Sequence, residues 1–173
     1  MEPSKKVKIF LIGLPGSGKT TLAKQVAERT GLRFIDLDKE IERAEGRKIE
    51  EIFSKEGEPY FRKVEQAELR KFFLVMDGFV MATGGGAPCF GTSIEEMKNA
   101  GVVIFLDVPA KEISARIQKQ THDRPLLKNQ TAESLKDKIE FLRSQRISFY
   151  RQAHHILSGE KLTVEGVVGL IGN

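Results

Sequence analysis

A short segment of the chain combines three glycines with a lysine and two threonines. It reads Gly13, Leu14, Pro15, Gly16, Ser17, Gly18, Lys19, Thr20 and Thr21. Its spacing matches the phosphate-binding P-loop pattern, in which glycines let successive backbone N–H groups turn toward an anion without Cβ clashes. We therefore predict that all of these residues bind a nucleotide, with Lys19 reaching its β- and γ-phosphates and the Thr20 hydroxyl binding Mg²⁺.

The flanking sequence supports this prediction. The apolar run VKIFLI (7–12) precedes the segment, and an alternating helical pattern follows it. Phosphates bind well at helix N-termini, because the unpaired N–H groups there carry partial positive charge. A glycine-rich turn that binds nothing is the alternative, and the strand before the segment and the helix after it disfavour that alternative.

Carboxylates at the ends of two apolar segments could complete the magnesium site. Asp36 and Asp38 belong to the sequence DLD at the end of RFIDL, and Asp107 ends VVIFLD. Alternate residues of a strand face the same side, so we expect the Asp36 and Asp38 side chains to point at one site beyond the strand. The simpler alternatives are a helix N-cap for Asp38 and a solvated strand end for Asp36.

Two further motifs have both a structural and a functional interpretation. Arg62 and Glu65 lie three residues apart, a spacing that on a helix predicts a weak surface ion pair. Gly84, Gly85 and Gly86 form either a flexible turn or a backbone that passes close to a ligand and offers it N–H groups.

Short segments rich in β-branched and aromatic residues predict five buried parallel strands. These segments are 7–12, 33–37, 79–83, 102–107 and 154–157. Helical patterns fill the gaps between them. The alternation of strand and helix predicts an α/β fold with three layers, α/β/α, around a parallel sheet.

Glycine, serine and proline positions predict where these elements end. The helix after the P-loop is expected to end at Gly31, and another helix to run from Ser93, as its N-cap, to Gly101. Residues 38–74 form a long helical insertion between the second and third strands. The polar segment 120–133 contains a proline and predicts a lid or binding loop, because loops of this length are usually functional.

Composition limits the remaining possibilities. With 173 residues and 40% hydrophobic content, we expect one domain over 1–173. The net charge is only +4, and the lysines and arginines are scattered among acidic residues, so we expect no nucleic-acid partner. The single cysteine, Cys89, excludes an internal disulfide and favours a cytoplasmic protein, and no apolar stretch predicts a signal sequence or a membrane span. His122, His154 and His155 lack metal-ligand spacing.

Six motifs taken together resemble the shikimate kinase family. They are GLPGSGKTT, DLD, EIF…GE..FR..E, ATGGGAP, RPLL and R...Y..A, in order from about residue 7 to about residue 155. The resemblance implies transfer of the γ-phosphate of ATP to the 3-hydroxyl of shikimate, in the pathway to chorismate and aromatic amino acids. It also implies a monomer with a five-stranded parallel P-loop fold similar to nucleoside monophosphate kinases, a substrate-binding helical insertion at about 38–74 and a lid at about 120–133.

The same resemblance implies a role for particular residues around the acceptor. Asp38 would contact the attacking hydroxyl as its base or orienter. Arg62 and Arg146 would hold the shikimate carboxylate. The backbone from Gly84 to Gly86 would lie against the ring.

For the nucleotide site, the resemblance implies that Asp36 contacts the magnesium ion through a bound water molecule. Arg124 of RPLL would come from the lid onto the phosphates. Serine stands at 148, where the family often has proline, so Arg143 is the alternative to Arg146. Arg116 would either stack on adenine or lie exposed on a helix.

Two other functions stay open. A related P-loop kinase of gluconate or of a nucleotide would share the first motif, although a pair of arginines favours an acidic acceptor. A non-catalytic nucleotide-binding regulator would be signalled by loss of Lys19, Thr20 or Asp38, and the chain has all three.

Overall fold

Five parallel strands form one sheet in the computed structural model, which describes residues 6–121 and 131–172. The strands are β1 (Lys8–Ile12), β2 (Arg33–Asp36), β3 (Phe79–Ala82), β4 (Val102–Leu106) and β5 (His155–Leu157). They pair in the order β2-β3-β1-β4-β5, and every pairing is parallel. Each strand falls within a segment predicted from the sequence, so the predicted five-stranded parallel sheet is confirmed.

Eight α-helices connect and flank these strands within the described ranges. They are α1 (Lys19–Thr30), α2 (Leu37–Glu45), α3 (Ile49–Glu56), α4 (Glu58–Phe73), α5 (Ser93–Ala100), α6 (Ala110–Thr121), α7 (Ala132–Tyr150) and α8 (Val164–Ile171). Three of them, α2, α3 and α4, fill the predicted helical insertion between β2 and β3. None of the helices described is long and apolar enough to cross a membrane.

The two faces of the sheet carry separate hydrophobic clusters, which is the three-layer arrangement predicted. In β1, Ile9 and Leu11 pack with α1 and α8 on one face. The alternate residues, Phe10 and Ile12, belong to the cluster on the other face, where α4, α5 and α7 pack. Because successive strand residues point to opposite faces, one apolar strand serves both clusters.

The ends of α1 and α5 test the helix boundaries predicted from the sequence. Gly31 ends α1 in the left-handed conformation with φ 72°, as a C-terminal glycine should. The prediction for Ser93 is wrong by one residue, because α5 begins at Ser93 and Thr92 occupies the N-cap position. Gly101 ends α5 as predicted but with an extended backbone, and a Cβ there would collide with the backbone carbonyl of Lys8.

The DLD motif departs from the strand expected. Strand β2 ends at Asp36, whose Oδ1 accepts a hydrogen bond from the Lys39 N–H at 3.3 Å and so caps α2. Asp38 lies in the first turn of that helix, after the fully buried Leu37. The prediction that Asp36 and Asp38 share one strand face is therefore wrong, and the simpler N-cap alternative belongs to Asp36 instead of Asp38.

Part of the predicted lid lies outside the described residues. Residues 122–130 include Arg124 and His122, and the structure describes neither. Helix α6 leads into this segment, and α7 begins after it, with the Thr131 side chain accepting a hydrogen bond from the Ser134 N–H at 3.2 Å.

Candidate active site

A cleft of about 710 Å³ opens at the carboxyl edge of the sheet. Residues from Pro15 to Leu22 line it, together with Asp38, Gly84, Gly85 and Arg116. Strand β1 feeds the P-loop, and β3 feeds the glycine turn 84–86. Because these strands are neighbours and parallel, both loops emerge at the same edge.

The P-loop has the backbone that its glycines permit. Gly13, Gly16 and Gly18 all have positive φ, of 149°, 80° and 89°. At Gly13 a Cβ would also lie only 2.9 Å from the Leu106 carbonyl oxygen, so the loop packs directly on β4. Only glycine satisfies both conditions without strain.

Lys19 is held inside the P-loop by backbone carbonyls. Its side chain is 8% exposed, and Nζ donates to the oxygens of Gly13 at 2.8 Å and Leu14 at 2.9 Å. Burial lowers the pKa of Lys19 to about 8, and the nearby Asp38 carboxylate partly opposes this. The ammonium group is thus desolvated, a state in which phosphate oxygens attract it strongly.

Asp38 faces the same cleft from the first turn of α2. Burial raises the pKa of its carboxyl group, the neighbouring Asp36 raises it further, and Lys19 opposes both. A carboxylate with a raised pKa accepts protons and hydrogen bonds more readily than a solvated one. Asp38 therefore has the position and the basicity expected of a group that binds a hydroxyl.

Donors for a magnesium ion are sparse but suitable. No cluster of three or more histidine, cysteine, aspartate or glutamate side chains lies among the described residues. The Thr20 side chain is exposed in the cleft, and Asp36 and Asp38 lie nearby. Mg²⁺ typically keeps several waters and binds one or two carboxylates plus substrate phosphates, so this donor set fits it.

Asp107, the third carboxylate considered for the magnesium site, is paired with Arg143. Asp107 accepts a hydrogen bond from Arg143 Nη2 at 3.0 Å. Both residues line a separate cavity of about 570 Å³ between α6 and α7. This places Arg143, the alternative to Arg146, outside the cleft.

Two guanidinium groups converge on the glycine turn. A Cβ at Gly86 would lie 2.5 Å from Arg62 Nη2, and one at Gly85 would lie 2.8 Å from Arg146 Nη1. The three-glycine sequence is thus a close approach of backbone to side chains, since any larger residue would displace an arginine. The guanidinium of Arg62 also lies over the Phe90 ring, 4.2 Å from its centroid.

Glu65 is a site residue that the sequence interpretation missed. Its side chain is 2% exposed, so the predicted surface ion pair with Arg62 is a buried one, with Oε1 accepting from Arg62 Nη1 at 2.7 Å. Burial raises the pKa of Glu65 and Arg62 opposes this. The sequence does carry a signal for this burial. Phe61 and Leu69 lie four residues before and after Glu65, a spacing that puts Glu65 on the apolar face of α4.

Three buried side-chain atoms of the described chain have no hydrogen-bond partner, and all three surround this cleft. They are Ser17 Oγ, Glu65 Oε2 and Arg146 Nη1. A Cβ at Gly84 would lie 2.8 Å from the free Glu65 oxygen and 3.2 Å from Asp38 Oδ1. Buried polar groups normally have partners, so these atoms are available to a polar ligand or to water.

The remaining predicted positions are easily placed. Arg116 is exposed on α6 and donates to Glu112 at 2.6 Å, as the exposed-helix alternative expects, and it also lines the cleft beside Gly18. His154 accepts a hydrogen bond at Nδ1 from the Val103 N–H at 3.0 Å. Cys89 is half-buried near Arg146 and Arg62, and burial raises its pKa to about 11.

Comparison with known proteins identifies the family. The family model described as shikimate kinase matches residues 15–171. A shikimate kinase of Parabacteroides distasonis is 37% identical over 96% of this chain and 95% of its own, and one of Clostridium botulinum is 41% identical over the same shares. These values leave no large part of either relative unmatched.

Solved structures give the same result. The shikimate kinase of Bacteroides thetaiotaomicron has a TM-score of 0.83 at 35% identity, covering 95% of this chain and 96% of its own. That of Acinetobacter baumannii, solved in complex with shikimate, has a TM-score of 0.80 at 34% identity, covering 96% and 92%. A gluconokinase of Sinorhizobium meliloti, at 14% identity and a TM-score of 0.57, shares the fold. The chain belongs to the shikimate kinase family.

Proposed function

We propose that this protein transfers the γ-phosphate of ATP to the 3-hydroxyl of shikimate, in the pathway to chorismate and aromatic amino acids. The observation that carries the proposal is the convergence of Arg62 and Arg146 on the glycine turn. Two planar guanidinium groups match the charge and the bidentate geometry of one carboxylate. The unpartnered Arg146 Nη1 supports an anionic acceptor, because a neutral polyol would leave that buried charge uncompensated.

Binding of the nucleotide follows from the P-loop. Its backbone N–H groups and the N-terminus of α1 would hold the phosphates, and Lys19 would exchange its two carbonyl partners for phosphate oxygens. Mg²⁺, when bound, supplies charge neutralisation at the phosphates. Thr20 would hold it directly and Asp36 through water, and Arg116 on the cleft wall would stack on the base.

Asp38 would receive the attacking hydroxyl. Its carboxylate lies on the cleft wall between Lys19 and the glycine turn, where it can accept a hydrogen bond from the acceptor. Phosphoryl transfer through a loose transition state asks mainly for positioning and charge stabilisation, so Asp38 acts as an orienter of the hydroxyl or as its base.

The remaining parts of the proposal concern organisation. One P-loop kinase domain spans 1–173, and its insertion at about 38–74 binds shikimate through Asp38 of α2 and Arg62 of α4. A lid at about 120–133 with a catalytic Arg124 stays a prediction, because residues 122–130 lie outside the described ranges. A monomeric, cytoplasmic protein is likewise a prediction from the sequence.

A coupled assay of ADP release tests the proposal. Shikimate, gluconate and nucleoside monophosphates are offered in turn, each with ATP and with or without Mg²⁺. Release with shikimate alone, abolished by a chelator, is expected. Faster release with gluconate or a nucleotide would make the protein a different P-loop kinase. Nucleotide binding without ADP release from any acceptor would make it a regulator.

A further inference from the structure

Tyr150 is a fully buried tyrosine whose hydroxyl lies against both the glycine turn and Arg146. It ends α7, its side chain is 0% exposed, and its hydroxyl donates a hydrogen bond to the Gly85 carbonyl at 2.6 Å. Its ring stacks on Phe105 of β4, with 5.0 Å between centroids and 29° between planes. The phenol is therefore held by the sheet on one side and reaches the glycine turn on the other.

Gly85 is the point at which three parts of the site meet. A Cβ there would lie 2.8 Å from Arg146 Nη1 and 2.8 Å from Pro15 Cδ. The turn thus lies between the P-loop and α7. Tyr150 and Arg146 are four residues apart on α7, so one turn of this helix carries both the guanidinium at the turn and the hydroxyl that binds its carbonyl.

The bonded carbonyl determines the direction of the next N–H group. The peptide between Gly85 and Gly86 is trans, so its carbonyl oxygen and the Gly86 N–H point in opposite directions in one plane. Among the described residues, that N–H makes no backbone–backbone hydrogen bond. Because Tyr150 binds the Gly85 carbonyl oxygen, the Gly86 N–H points away from Tyr150.

We infer that Tyr150 is a positioning residue for the acceptor site. Its hydroxyl holds the glycine turn at a fixed distance from Arg146, so that the turn's N–H groups and the guanidinium meet the acceptor together. Tyr150 does not touch the acceptor itself. For the identity of the acceptor, this inference rests on the proposed function. That Tyr150 holds the glycine turn in place does not depend on which acceptor binds.

The test is Tyr150→Phe, with Tyr60→Phe as a matched control. Tyr60 is the chain's other tyrosine and lies exposed on α4. Its hydroxyl donates to Glu45 of α2, and neither residue lines the cleft. Loss of one hydrogen bond in the Tyr150 variant should raise KM for shikimate about five- to tenfold. KM for ATP should stay within about twofold, because Lys19 and the P-loop keep their contacts. Tyr60→Phe should change neither constant.

A merely structural role gives a different result. Tyr150→Phe would then lower the unfolding temperature while the folded enzyme kept the wild-type KM for shikimate, and that outcome would overturn the inference. An equal rise of both KM values would overturn it too. If the variant does not fold, Phe105→Leu keeps the hydroxyl but frees the ring, and it should raise KM for shikimate more than KM for ATP, to which Phe105 also contributes through its packing beside Gly13. An unchanged KM in that variant counts against the inference.

Backbone hydrogen exchange separates this inference from the proposed function. In the unliganded protein, Tyr150→Phe should speed exchange at the Ala87 and Cys89 amides, which donate to the Gly84 and Gly86 carbonyls of the turn, and leave α1 unchanged. This measurement needs no acceptor, so it holds even if wild-type protein fails to phosphorylate shikimate. Unchanged exchange at the turn would show that Tyr150 does not position it, whatever the acceptor is.

Discussion

Arg62 Nη1 lies 2.7 Å from Glu65 Oε1 on the buried side of α4, while the other oxygen of Glu65 has no partner. The pair therefore does two things. It neutralises a carboxylate that would be costly to bury alone, and it holds the Arg62 guanidinium against Gly86.

Removing Arg62 should weaken acceptor binding far more than ATP binding. We expect Arg62→Ala to lower shikimate affinity at least about tenfold and to destabilise the fold by roughly 3–5 kcal/mol, because Glu65 loses its counterion. Calorimetric titration with shikimate and with ADP measures the two affinities, and urea unfolding measures the stability.

A double variant separates these two effects. Arg62→Ala combined with Glu65→Gln removes the unpaired charge, so it should recover much of the stability but none of the shikimate affinity. Arg43→Ala, at an exposed arginine of α2 paired with Glu40, is the control and should change neither. Near-normal shikimate affinity in Arg62→Ala would show that Arg62 does not bind the acceptor.

A methyl group at Gly86 should displace the same guanidinium. Gly86 has φ −89°, which alanine adopts freely, so Gly86→Ala adds only a contact 2.5 Å from Arg62 Nη2. We expect a rise in KM for shikimate of about tenfold or more with the fold retained. Gly169→Ala on α8 meets no atom within 4 Å and is the control. It should stabilise the helix by up to about 1 kcal/mol without altering KM.

Lys19→Met should abolish turnover and leave the fold intact. Methionine keeps most of the side-chain volume, and the lost hydrogen bonds go to P-loop carbonyls instead of to the core. ADP release and circular dichroism are the two measurements. Activity near that of the wild type would mean that the P-loop lysine has no catalytic part.

Nucleotide affinity should decrease as the pH rises above about 8. Burial lowers the pKa of Lys19 to about 8 in the free protein, and phosphate oxygens raise it again in the complex. Binding above that pH therefore takes up a proton, and ADP affinity falls by at most about tenfold per pH unit. Calorimetry in buffers of different ionisation enthalpy measures the proton directly. Lys19→Arg, which stays charged, should lose this dependence.

Acid should remove a small contribution from the Arg70–Glu96 pair between α4 and α5. Both nitrogen–oxygen contacts are 2.8 Å, and the hydrogen bonds from Arg70 and Thr92 lower the pKa of Glu96 to about 2. The unfolded chain binds a proton first, so the contribution is complete above the ordinary value of 4.5 and is lost as the pH falls toward 2. Arg70 is half exposed, which limits the effect to about 0.2–1 kcal/mol.

Thermal unfolding of Arg70→Met at successive pH values checks this contribution. The variant should be slightly less stable than wild type at neutral pH, and the difference should disappear in acid. A difference that stays constant with pH would mean that packing of the Arg70 side chain, and not the charge of Glu96, causes it.

Local patterns in the sequence were enough to predict the strands, the P-loop and the α1 terminus at Gly31. Runs of β-branched and aromatic residues and the need for positive φ are properties of a few consecutive residues, so they can be recognised without knowledge of the fold. The same reasoning failed at DLD, where it extended β2 past Asp36, because a helix cap and a strand end favour the same residues.

The sequence by itself determined which residue types are present for the chemistry and the order of the elements that carry them. Only the tertiary structure decided that the Glu65 carboxylate lies against Gly84, that Arg143 binds Asp107 outside the cleft, and that Tyr150 bonds to Gly85 across 65 positions. These contacts join α4, α7 and the turn after β3, which are distant in the chain. Their formation depends on how helices pack on the two faces of the sheet, and no local pattern encodes that packing.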